Sequence, residues 1–135
     1  MTRIPVVLLL SLSALFGQQD WQGEVKQLYP VNIPSFQGYR PVYGKSGKTA
    51  TQPDIELYSL TTPIGNLKTS ADFFRASLEK QGFKPVKNTS GPSIERIVMD
   101  NPARKLTAVV VASKQGPKSM LVGVSVMPQG TLPKN

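Results

Sequence analysis

The hydrophobic pattern of the chain changes period three times. Ile4 to Phe16 (IPVVLLLSLSALF) has no period: it is apolar, interrupted only by serines, and carries no charge. At Asp54–Thr61 (DIELYSLT) the period is two. Ile55 and Leu57 fall on one side and Glu56, Tyr58 and Leu60 on the other, which predicts a strand. Thr62-Pro63-Ile64-Gly65-Asn66 predicts a turn. The period then lengthens. Leu67, Ala71, Phe74 and Leu78 share one face at helical spacing, with Phe73 alongside. Thr69 or Ser70 offers a cap, and Asp72, three residues after Thr69, comes close to a capping box and puts negative charge in the first turn. Gly82 supplies a left-handed stop, and Phe83 beyond it can reach back to Leu78. The spacing predicts a helix over 70–81.

After residues 83–87, Asn88 to Pro92 reads as a turn. Strands are then predicted over 93–100, 105–113 and 119–127. Asn101-Pro102 and Gly116-Pro117 mark the turns between them. Strand, helix and a run of strands describe an α+β fold. The expected architecture is one helix packed on an antiparallel sheet of four to five strands, with an extended N-terminal arm. The expected organisation is residues 1–17 as a signal peptide, 18–53 as a Pro/Gly-rich arm and loop, 54–127 as the α+β domain and 128–135 as a flexible tail.

One strand is apolar on both parities. Leu106, Ala108, Val110 and Ala112 fall on one side, and Val109 and Val111 on the other. Ile97 and Met99, or Leu121 and Met127, are expected to join the second set. A strand apolar on both faces is buried on both, and one short helix covers only part of one. The arm carries Leu28, Tyr29, Val31, Ile33, Phe36, Tyr39, Val42 and Tyr43, so it is expected to cover the second face. The alternative is a protein partner or a second copy of the chain on that face.

The apolar run Ile4–Phe16, after the positive start at Arg3, fits a secretory signal peptide. Its 13 residues fall short of the roughly 20 that a membrane-spanning helix needs. Cleavage is expected near Gly17, with an uncleaved anchor as the alternative, and the protein is expected to be exported: periplasmic, envelope-bound or extracellular. Removing residues 1–17 takes Arg3 with it, so the net charge falls from +8 to +7.

Composition narrows the chemistry. The chain has no Cys and no His. No disulfide, thiol nucleophile, imidazole base or imidazole metal ligand is therefore possible, and an exported chain of this kind draws its stability from its core alone. No cofactor, metal site or nucleotide site is expected. Gly44-Lys45-Ser46-Gly47-Lys48-Thr49 contains GKT but has Val42 where a phosphate loop needs its first Gly, and Pro53 follows where a helix should. Ser77-Leu78-Glu79-Lys80 matches S-x-x-K without the companion motifs. Asp54 and Glu56 share a side and are expected to be solvated at an edge. The candidate anion-contacting residues are Lys45 and Lys48 in one loop, Arg104 and Lys105 at one turn, and Lys114 and Lys118 at another. Consecutive turns of a meander lie at opposite ends of a sheet, so the charge is expected to be dispersed. The phenylalanines 73, 74 and 83 are expected in the core.

Tyr58-Ser-Leu-Thr-Thr-Pro63, Ser70-Ala-Asp-Phe-Phe74, Leu78 and Gly82-Phe83 together resemble a loose class of small exported bacterial α+β domains. In that class a strand ending in Thr/Pro precedes a helix with an aromatic pair and a Gly-Trp or Gly-Phe stop. The resemblance covers roughly residues 30–127. It implies a fold and a compartment, and it carries no catalytic residue. The expected function is a non-enzymatic envelope or periplasmic domain that binds protein or serves as a structural module. The alternative is a basic binder of polyanions such as cell-wall polymer, acidic lipid or DNA.

Overall fold

The computed structural model describes residues 28–45 and 54–132. Period two builds the strand Glu56–Pro63, here β2, in which Glu56, Tyr58, Leu60 and Thr62 are buried in alternation. Thr62 and Pro63 belong to the strand rather than the turn, because they pair with Met120 and Ser119.

The helix α1 spans Leu67–Glu79, starting and ending earlier than 70–81. Its cap is Asn66, not Thr69 or Ser70. The Asn66 Oδ1 accepts the Thr69 N–H at 2.9 Å, which satisfies one of the free donors of the first turn. Ser70 is already inside the helix and gives its hydroxyl to the Asn66 carbonyl. Asp72 therefore lies beyond the first turn and pairs with Lys68 and Arg75. At the other end Gly82 has φ +98°, and its N–H and that of Phe83 donate to the carbonyls of Glu79 and Leu78. That pair of bonds is the Schellman ending.

The sheet has six strands, where four to five are expected from the sequence. The added members are β1 (Val42–Lys45), from the arm, and β3 (Lys84–Ser90), which takes in Asn88–Ser90 from the predicted turn. Both are edge strands. The β3 sequence KPVKNTS is exposed throughout, with lysines, a proline and a bulge, as edges that resist further pairing are built. The remaining strands are β4 (Ile94–Asn101), β5 (Leu106–Lys114) and β6 (Ser119–Pro128). The order is β1-β2-β6-β5-β4-β3, antiparallel throughout.

Helix and arm cover the same face. α1 lies mainly over β5 and β4. The arm puts Val31 and Phe36 into the same core as Phe74, Leu78, Phe83, Val110 and Val124, with Tyr29, Ile33 and Tyr43 against it. The described part of the arm, residues 28–45, therefore packs on the helix face and not on the second face. Ile97 and Met99 pair with Val110 and Ala108 and so belong to the helix face. Val98 takes their expected place on the second face, opposite Val109. Phe73 also departs from expectation: it is 40% exposed, with its ring 5.0 Å from those of Phe36 and Phe74.

Residues 1–17, with the predicted cleavage site, and residues 46–53, with Lys48 and the rest of the GKT loop, lie outside the described residues. Among the described residues, no helix is long and apolar enough to cross a membrane.

Candidate functional site

With no His or Cys in the chain, the candidate acid or base groups are the carboxylates of its Asp and Glu residues. Glu56 is not solvated at an edge. β1 pairs outside β2, and Glu56 is 0% exposed. Its oxygens accept from the N–H groups of Leu28 and Tyr29 at 2.5 and 3.3 Å, from the Tyr43 hydroxyl at 2.5 Å and, at 3.5 Å, from that of Tyr58. Tyr29 in turn gives its own hydroxyl to the Asp54 carbonyl. Burial, reinforced by the bond to Glu56, pushes the Tyr43 phenol well above its usual range. Burial and the charges of Asp54 and Glu56 raise Tyr29.

A buried carboxylate is costly unless its lone pairs are met. Glu56 meets its own with the arm, so its position is explained by anchoring. Two further locks act on the arm. The Gln81 side-chain amide exchanges two 2.8 Å bonds with the backbone of Asn32, and Arg104 Nη1 donates to the Pro30 carbonyl at 2.7 Å. Glu95, the other buried carboxylate, accepts from the Asn88 amide at 2.9 Å. It is three strands and about 13 Å of strand length away from Glu56, so the two cannot act as a pair. Among the described residues no three Asp or Glu side chains gather as a cation site.

The predicted cations do not converge. Lys45 ends β1, level with Glu56 in the register. Arg104 and Lys105 occupy the β4–β5 turn, and Lys114 and Lys118 flank the β5–β6 turn. The nine residues of β5 hold those turns about 30 Å apart. Arg104 is engaged with the arm, and the Lys105 carbonyl accepts from Gln129.

Among the described residues, the second face of the sheet is the surface left open. The one buried cluster they form there is Val98, Val109 and Met127, with Ile55, Val111 and Leu132 packed against it. Leu132 comes from the chain end, where Gln129–Thr131 turn back over β5 and β6. Beyond that small cover, Leu57 is 44% exposed and Val42 69%, and Val111 and Leu121 are half-buried. Register places Leu57, Ser125, Val109 and Val98 in one row across the face, and Val42, Ser59, Gly123, Val111 and Arg96 in the next.

A groove of about 540 Å³ runs between the chain end and β3. Val98 forms its floor, Leu132 and Gly130 one wall, and Val86 and Lys87 the other. The β3 register steps from Pro85↔Met99 to Lys87↔Val98, so Val86 is the inserted residue of a bulge. Arg96 and Asp100 also line the groove. Among the described residues the Arg96 and Lys87 side chains make no ion pair or hydrogen bond; the ion pairs there all lie on α1.

Neither Lys87 nor Arg96 stands out in the sequence as a site residue. Their one sequence signal is parity: Arg96, Val98 and Asp100 alternate with the core residues Ile97 and Met99. Comparison of the chain with protein-family models, with curated proteins and with solved structures returns no match.

Proposed function

We propose that this chain is an exported, non-enzymatic module of the envelope or periplasm that binds a protein partner through the open face of its sheet. The observation that carries the reading is the stacking of both covering elements, helix and arm, on one face. The other is left with an apolar strip from Val42 and Leu57 to Val111. Apolar surface of this kind marks interaction sites, and a doubly apolar strand such as β5 is ordinarily covered on both sides. Export rests on the signal-peptide pattern of residues 1–17. The non-enzymatic reading rests on the missing His and Cys and on the structural engagement of Glu56.

A second reading, a binder of polyanions, is favoured by the unpaired Lys87 and Arg96 in one groove. Two substitutions and one column separate the readings. Leu57→Glu places charge on an exposed position and should leave the melting temperature nearly unchanged. Val111→Glu, beside the Val98, Val109 and Met127 cluster, should lower it, so capture is scored at a temperature where both variants are folded. Both should abolish capture of the partner from a native envelope fraction. Polyanion binding predicts late, steeply salt-dependent elution from heparin, unmoved by Leu57→Glu and advanced by Arg96→Gln. Salt-dependent heparin retention with capture unaffected by both Glu variants overturns the protein-partner reading.

A further inference from the structure

In the groove beside β3, charge, apolar contact and shape coincide. Arg96, Val98 and Asp100 sit at alternate positions of β4, on the same side of the sheet. Strand pitch puts the first and last about 13 Å apart, with Val98 midway. The two ends carry opposite charge.

At the cationic end the Arg96 guanidinium, half-buried and without an ion-pair partner among the described residues, is joined by Lys87. Lys87 stands opposite Val98 and is therefore diagonal to Arg96, within reach of a shared anion. At the anionic end one oxygen of Asp100 accepts the Thr107 hydroxyl at 2.7 Å. Lys84 faces Asp100 in register but forms no ion pair with it. Between the ends the bulge brings Val86 in line with Val98 and Leu132. A planar guanidinium is the group best suited to bind a carboxylate through two parallel bonds.

We propose that this groove binds a short apolar peptide by its two free termini, the terminal carboxylate on Arg96 and Lys87 and the terminal ammonium on Asp100. A span of about 13 Å corresponds to about four extended residues. Their side chains would lie on Val86, Val98 and Leu132. The proposal rests on the reading that the open face is a binding surface and names a ligand class for one part of it.

The test is a calorimetric titration of the purified protein with the tetrapeptide Ala-Val-Val-Ala bearing free termini. The same sequence, amidated at its C-terminus or acetylated at its N-terminus, is titrated in parallel. The expected result is saturable binding of the free peptide, weakened about tenfold or more by either blocking group. In the Arg96→Gln protein the free peptide should bind as weakly as the amidated one does to the parent, and amidation should cost nothing further. The blocked peptides test the parent protein directly, so a variant that folds poorly does not remove the test. Binding of the free peptide no tighter than that of the amidated or the acetylated one, or no saturable binding at all, overturns the proposal. If the peptide fails while Leu57→Glu still abolishes capture of the envelope partner, the ligand assignment alone is wrong. If both fail, the open-face reading falls with it.

Discussion

At the scale of single residues, Glu56 determines where the arm goes. The buried Glu56 carboxylate is tolerated because two backbone N–H groups and the Tyr43 hydroxyl converge on it. Glu56→Gln keeps the shape and replaces one acceptor with a donor aimed at donors. It should cost about 1–3 kcal/mol in urea unfolding. The tyrosines give a second check. Tyr43 and Tyr29 both have phenols raised in the folded state. Below about pH 10 folded and unfolded chains hold these protons alike, so the stability from this cluster is fully present. Above it the unfolded chain ionises first, and stability falls as pH rises toward the folded values. The urea midpoint should therefore decline from about pH 10 upward, and Tyr43→Phe should flatten the decline. An unchanged slope in Tyr43→Phe would show that this phenol does not carry the effect. None of this is legible along the sequence. Glu56 reads there as one polar position in an alternating strand, and its three arm donors come from residues 13 to 28 positions away.

At the scale of elements, legibility follows period. α1 and the strands β4, β5 and β6 are visible because their apolar positions repeat. The helix start is displaced by three residues because Asn66, Thr69 and Ser70 all have capping chemistry, and only the fold decides among them. Asn66→Ala should cost about 1 kcal/mol by thermal or urea melting. Thr69→Ala, at a position that gives only its backbone N–H to the cap, should cost much less. β3 escapes the sequence because its residues are polar on both parities, which is how an exposed edge is made, and its bulge shifts the register besides. That same bulge turns Val86 and Lys87 together into the groove, so the feature that hides the strand also shapes the candidate site.

At the scale of the whole molecule, the doubly apolar β5 shows in the sequence that a second face needs cover, but not which face the arm takes. The arm has no period. Its side is chosen by three polar locks, at Glu56, Gln81 and Arg104, each joining residues far apart in the chain. With helix and arm stacked together, the opposite face keeps, among the described residues, only the fold-back of residues 129–132. The absence of native cysteine makes that asymmetry directly measurable. Single substitutions Leu57→Cys and Val111→Cys place a thiol on the open face, and Ala76→Cys places one on the exposed outer surface of α1. Labelling rates are compared between the purified protein and the native envelope. All three thiols should react in the purified protein, and in the envelope the first two should be protected while the one at Ala76 stays reactive. Protection at Ala76 with free reaction at Leu57 and Val111 would contradict the account.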